Sequence, residues 1–167
     1  MAQTSRFELT EATWNPTVGC TKISPGCKHC YAEAMAKRLN AMGVPGYENK
    51  FKLTILSDRL DEPLRRKKPT IYFVNSMSDL FHKSVPDDFI NQVCDVISNC
   101  PHHTFQILTK RAERLTTFFR HKLPPKNAWI GVSVEDRKYG LPRIDALRQV
   151  NVHVRFLSVE PLLENLG

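Results

Sequence analysis

"PTIYFVNS", residues 69–76, decides the architecture. A half-buried strand alternates apolar with polar residues. This run is instead continuously β-branched and aromatic, follows a proline, and breaks off at Asn75-Ser76. It reads as a strand buried on both faces, the habit of parallel sheets covered by helices. The flanking segments agree. "VPDDFINQVCDVISN" (85–99) predicts a helix with Pro86 and two aspartates in its first turn, where the macrodipole favours them. Phe89, Val93 and Ile97 form its apolar stripe. Then come a strand in "HTFQILTK" (103–110), a helix in "RAERLTTFFRH" (111–121) and a strand in "AWIGVSVED" (128–136). A helix in "GLPRIDALRQV" (140–150), carrying Ile144 and Leu147, precedes a last strand in "VHVRFLSVEP" (152–161).

Upstream, a short strand is expected near Ala12–Asn15, ahead of a cysteine-bearing loop. "CYAEAMAKRLNAMG" (30–43) predicts a helix with Tyr31, Met35, Leu39 and Met42 at helical spacing and Gly43 as its stop. "TILSDRLDEPLRR" (54–66) reads as a short extended piece followed by a helical turn or two. Strands alternating with helices mean βα units and a parallel sheet, the α/β class. About five strands are expected, and a closed eight-stranded barrel needs about 250 residues. The 167-residue chain is therefore expected to form one α/β domain, 1–167, built as a partial (incomplete) TIM-like barrel or an open sheet. It stops at "PLLENLG", where another helix is due, so a C-terminally truncated form is expected.

No stretch approaches the roughly 18 apolar residues of a membrane span. The first residues, "MAQTSRFELTEATW", lack a basic region followed by an apolar run. A cytoplasmic protein without membrane partners is expected. Its five cysteines, an odd number, argue against a disulfide framework. The formal charge of +7 favours polyanionic partners.

The strands end in polar residues: Asn75, Ser76, Ser78 and Asp79; then Thr109, Lys110 and Arg111; then Ser133, Glu135 and Asp136; then Ser158 and Glu160. In parallel α/β folds these ends share one face, where ligands bind. Helix caps account for many such residues. Glu160, a glutamate before proline, is not a preferred cap, and Lys110 stands where it can hold a carboxylate or phosphate. These two are the catalytic candidates.

Cys20, Cys27 and Cys30 follow the spacing C-x6-C-x2-C in the loop entering the first helix. A pair of thiols three apart, shaped by Gly19, Pro25 and Gly26, is a metal signature. Zinc takes four ligands in a structural site. His29 sits about 100° around from Cys30 and faces away, so zinc would need a distant ligand such as His82. A 4Fe–4S cube has four irons, and three thiolates leave one open to a substrate. Both metals stand as candidates. Cys94 and Cys100 read as small buried residues outside this set.

The motifs "TWNPTVGCTKISPGCKHCYAEAMAKRL", "FVNSMSDLFH", "ILTKR", "WIGVSVED" and "FLSVEPLL" resemble the phage-associated three-Cys-motif family, and more distantly the radical S-adenosylmethionine (SAM) superfamily. The superfamily's usual spacing is C-x3-C-x2-C, and the six-residue first gap here departs from it. The resemblance implies that Cys20, Cys27 and Cys30 ligate a 4Fe–4S cluster whose open iron is chelated by SAM. Tyr31 matches the aromatic that packs near adenine. Asn75, Ser76, Ser78 and Asp79 fall where the superfamily holds the SAM amino group, although its usual Gly-Gly-Glu-like motif is absent. Ser133 and Glu135 join them as candidate cofactor contacts. An enzyme of this type needs an external electron donor and modifies an unknown substrate, with nucleic acid a candidate. The competing class is a non-enzymatic zinc- or cluster-stabilised module that binds nucleic acid or a protein. Two basic groups bear on the partner: Arg65, Arg66, Lys67 and Lys68 before the second main strand, and Lys110, Arg111, Arg114, Arg120, Lys122 and Lys126 after the third.

Overall fold

The computed structural model describes residues 10–167. The leader reading of residues 1–14 therefore falls largely outside the described residues. In chain order the elements are β1 (Ala12–Trp14), β2 (Thr17–Val18), α1 (Tyr31–Ala41), β3 (Thr54–Ile55), β4 (Ile71–Val74), α2 (Asp87–Ser98), β5 (Thr104–Thr109), α3 (Ala112–Phe118), β6 (Ala128–Ser133), α4 (Gly140–Arg148) and β7 (Val154–Ser158). Short 3-10 turns cover Ser57–Arg59 and Pro63–Arg65, where turns were expected.

Five strands form one parallel sheet in the order β1-β4-β5-β6-β7. The order never reverses. Right-handed connections then carry the connecting helices to the same face, unlike doubly wound sheets, where a reversal splits them between two faces. Register fixes which side chains meet those helices. Tyr72 lies opposite Phe105, which in turn lies opposite Ala128, and Val74 lies opposite Ile107, which lies opposite Ile130; all six are buried. Phe105 meets Trp14 edge-on at 5.6 Å between ring centroids and stacks on Tyr72 at 5.3 Å. The other face carries Phe73 and Trp129, which are only half-buried. Burial of 69–76 on both faces, expected from the continuous apolar run, thus holds fully on the helix side alone. Among the described residues the sheet stays open at β1 and β7, and no helix is long and apolar enough to cross a membrane.

A second, smaller core lies under the cysteine loop. β2 and β3 pair antiparallel, and Val18, Leu56, Tyr47 and Met77 close over Ala32 and Ala36 of α1. This corrects the expected stripe of α1 in part, since of its four residues Leu39 does pack against this core. Tyr31, Met35 and Met42 are exposed, at 54%, 42% and 65%. The face one residue along, Ala32 and Ala36, is the one that packs. The small side chains of Ala32 and Ala36 sit in one cluster with Val18, Tyr47, Leu56 and Met77.

Candidate functional site

Because the sheet is parallel, the C-terminal ends of β1, β4, β5, β6 and β7 share one side. The cysteine loop lies across these ends and is fastened at several points. Gly19 N donates to the Met77 carbonyl at 2.9 Å and Cys20 N to the Phe51 carbonyl at 3.0 Å. Gly19 has φ +82, and a Cβ there would lie 2.1 Å from the Lys52 carbonyl oxygen. Only glycine fits that approach. Pro25–Cys27 forms a single 3-10 turn. Cys30 precedes α1 with extended backbone, and its side chain makes no capping bond. All five cysteines are free thiols, and Cys20, Cys27 and Cys30 are half-buried.

Two buried ion pairs grip the loop from below. The first is Arg111–Asp79, 2.8 Å apart. Asp79 also accepts from Phe81 N, Thr109 Oγ1 and Lys110 N, which stitches the end of β4 to the end of β5. Arg111 reaches onward with Nη2 to the Thr21 carbonyl at 2.9 Å and with Nη1 to Cys20 Sγ at 3.5 Å. The second is Arg143–Glu135, 2.5 Å apart, with the Glu135 side chain fully enclosed. Ser24 Oγ donates to the other Glu135 oxygen. Gly26 passes so close that a Cβ would sit 3.0 Å from Glu135 Cγ. Glu135 and Asp79, expected as cofactor contacts, therefore stand with their carboxylates committed to arginines and to the loop.

The remaining expected residues fall as follows. Ser78 Oγ bonds the Thr17 carbonyl and hydroxyl, at 2.8 and 2.7 Å. Ser76 Oγ donates to Asn15 Oδ1 at 3.2 Å. Buried Ser133 offers its carbonyl to Arg143 at 2.9 Å. Asp136 caps the start of α4, accepting from Tyr139 N at 2.6 Å. Lys110 stands near Cys27, whose thiol its charge helps to ionise. Glu160 is exposed beyond the end of β7, at the open edge of the sheet. Tyr31 exposes much of its ring but turns its hydroxyl onto the Ser76 carbonyl at 2.5 Å. Burial, with Cys30 beside it, pushes that phenol up to about 12. Asn75 is buried with φ 59, and its Oδ1 accepts from Thr17 N at 3.4 Å. Its Nδ2 has no hydrogen-bond partner among the described residues. A buried donor left open costs about 1–3 kcal/mol unless something accepts from it, so this amide marks a place for a ligand or water.

Sequence reasoning missed Arg143, Ser24 and Thr21. Arg143 carried a signal: an arginine one turn into a helix, eight residues after a strand-end glutamate, can fold back on it.

Among the described residues no three His, Cys, Asp or Glu side chains converge closely enough to share one metal ion. His82, the expected distal zinc ligand, is otherwise engaged. Its Nδ1 accepts from Ser84 N at 3.2 Å, so the proton sits on Nε2, which lies 2.9 Å from Thr21 Oγ1. Burial and then the nearby Arg111 charge lower its pKa, consistent with that neutral ring.

The thiols differ in acidity. Burial raises Cys27, but bonds from the Ile23 and Ser24 backbone and the nearby Lys110 charge act the other way, and the pKa is lowered. Burial pushes Cys94 up to about 12. A lowered pKa means more thiolate at a given pH, and thiolate is the reactive form. In metal-free protein near pH 7.5, iodoacetamide is expected to label Cys27 well before Cys94, followed by peptide mass spectrometry. Labelling of Cys94 first would contradict these environments.

The comparisons follow this geometry. No curated protein sequence matches the chain. Solved structures of spore photoproduct lyase share its fold. A cysteine-to-alanine mutant has TM-score 0.66 and 15% identity over 100% of this chain and 50% of the lyase. The lyase complexed with dinucleoside spore photoproduct gives 0.63 and 15%, over 99% and 49%. A double mutant with bound AdoMet and the same dinucleoside gives 0.60 and 15%, over 96% and 48%. The chain thus spans about half the length of these structures. At the level of sequence family, one profile, described as a protein of unknown function, DUF5131, matches residues 4–167, and the chain belongs to that family.

Proposed function

We propose that this protein is a radical SAM-type iron–sulfur protein on a partial barrel, with Cys20, Cys27 and Cys30 as cluster ligands and nucleic acid as its substrate class. The observation that carries the reading is the cysteine loop itself. Three free thiols, with no fourth beside them, lie across the C-terminal ends of a parallel sheet of unreversed order. The likeness in fold to spore photoproduct lyase, a radical SAM enzyme, supports it. So does the AdoMet and dinucleoside bound by that lyase.

The donor set suits a cluster better than a single ion. Zinc asks four ligands to meet at one centre, whereas the loop offers three thiols. In a cluster each thiolate has its own iron, so the sulfurs stand further apart. When bound, such a cluster supplies one-electron reductive cleavage of SAM, with the electron from an external donor. The chain's own part is to bind and orient. Arg111 and Glu135 hold the loop from below. Asn75 Nδ2 offers a buried donor to the carboxylate or another acceptor of the cofactor. Tyr31, tied to the Ser76 carbonyl, presents its exposed ring beside Cys30 for stacking on adenine. Lys110 and Glu160 serve as candidates for proton handling on the substrate.

Anaerobic reconstitution is expected to give brown protein with iron and sulfide near four each per chain, about the content of one cube. Dithionite with SAM should then release 5′-deoxyadenosine. Stoichiometric zinc without iron after anaerobic purification would sink the reading and leave a zinc-stabilised binding module.

A further inference from the structure

A cleft of about 440 Å3 opens between the start of α3 and the start of α4, beside Ile23 of the cysteine loop. Six basic residues line it, and they divide into two classes. Arg111, Arg114 and Arg143 each have a carboxylate of their own in Asp79, Asp87 and Glu135. Lys83, Lys110 and Lys138 have no carboxylate partner among the described residues, and Glu113 is the single acidic residue of the lining. Three uncompensated lysines against one glutamate leave an excess of two positive charges. An excess of this kind on a concave wall focuses potential and attracts anions.

The rest of the lining is not that of a simple ion site. Tyr139 presents a half-buried ring, with Lys138 Nζ 5.2 Å from its centroid, and Ile23 is 40% exposed at the rim. Phe81 and Ala146 form an apolar floor. Basic side chains that track phosphates, beside an aromatic ring on which a base stacks, are the elements of a single-strand groove. The volume is that of a small-ligand pocket, so it admits a splayed nucleotide rather than a duplex. The cleft also adjoins the cysteine loop, since Ile23 and Arg111 line it and Arg111 Nη1 reaches Cys20 Sγ at 3.5 Å.

We infer that this cleft is a phosphodiester groove that seats a single-stranded stretch of nucleic acid beside the cysteine loop, with Lys83 and Lys138 on phosphates and Tyr139 under a base. The inference rests on the nucleic-acid reading above and names its contact surface.

The test is fluorescence anisotropy of a short fluorescein-labelled oligodeoxythymidine on the full chain, between about 50 and 200 mM salt. The Lys83→Ala/Lys138→Ala variant is expected to bind more weakly. Its plot of log affinity against log salt should be shallower by about 0.7 per lost phosphate contact, or about 1.4 for the pair. Tyr139→Ala should weaken binding about fivefold or more with the slope unchanged, because stacking releases no counterions. Lys67→Ala/Lys68→Ala, ahead of β4 at the opposite end of the sheet, should bind like the parent. Parent-like binding by the first variant would overturn the inference. So would a parent that ignores the oligonucleotide at low salt. Competition by thymidine monophosphate as strong as by the oligonucleotide would mean a free-nucleotide pocket, and would overturn it too. Iron content and SAM cleavage, measured on the same preparations, keep the two proposals apart. Slope changes as expected in protein that takes up no iron would support the groove and remove the radical reading.

Discussion

Replacing Arg143 with methionine is expected to destabilise the protein by about 3–5 kcal/mol, because it strands a buried carboxylate. Glu135 is fully enclosed, and among the described residues only the Ser24 hydroxyl still bonds its side chain once Arg143 is gone. The same change frees the Ser133 carbonyl at the end of β6. Urea unfolding of metal-free Arg143→Met against parent reads the effect. The pair also separates stability from site construction. Replacing both partners of a buried pair with apolar residues is often neutral or stabilising, so Glu135→Leu/Arg143→Met should recover most of the lost stability. It should not recover iron uptake, because Ser24 and the Gly26 turn lose the carboxylate they pack on. A single variant that loses under about 1 kcal/mol would show that the charge is not costly there. A double variant as unstable as the single would show that shape, not charge, holds β6 to α4.

Much of this was legible beforehand, for a physical reason. Strands such as Ile71–Val74 and Ala128–Ser133 are continuous apolar runs set between polar breaks, and that pattern depends only on neighbours in sequence. The cysteine loop was legible because three thiols and a Pro-Gly turn are local as well. The facing of α1 was not. Tyr31, Met35 and Met42 repeat at helical spacing, and so do Ala32 and Ala36 one position along. Periodicity ranks the larger side chains first, whereas the choice turns on the cluster of Val18, Tyr47, Leu56 and Met77, which comes from distant segments, and strands of two residues leave no pattern to read. The site shows the same limit. Asp79 and Glu135 were correctly placed at strand ends, yet their partners lie 32 and 8 residues away, and Ser24 lies 111 from Glu135. A strand-end carboxylate looks alike in sequence whether it holds a ligand or the loop that holds one. The open amide of Asn75 depends on a positive φ that its Asn-Ser context permits but does not specify.

Arg111 carries the second large effect, and on the radical SAM reading proposed above it falls on the cluster more than on the fold. Without Arg111, Asp79 still accepts from Phe81 N, Thr109 Oγ1 and Lys110 N. Its charge is therefore better compensated than that of Glu135, and Arg111→Lys should lie nearer parental stability than Arg143→Met. What lysine does not reproduce is the fork. Arg111 joins Asp79, the Thr21 carbonyl and Cys20 Sγ through two nitrogens, whereas an ammonium is a single point charge with no fixed plane. Iron bound per chain after reconstitution should fall in Arg111→Lys, because Cys20 loses the tie that sets its place over β5. In the fraction that does load, the bond from Nη1 to the Cys20 sulfur is also gone. Hydrogen bonds to ligating sulfurs help set cluster potentials, and a donor favours the more electron-rich reduced form. Its loss should make the potential more negative. A charge-assisted bond is worth about 1.5 kcal/mol at the low end of its range, which is about 60 mV for one electron. Redox titration followed by electron paramagnetic resonance reads this without any substrate. Parent-like iron content together with a potential within about 10 mV of the parent, far short of that shift, would mean that Arg111 serves Asp79 alone and that Cys20 is placed by the backbone bonds of Gly19 and Cys20.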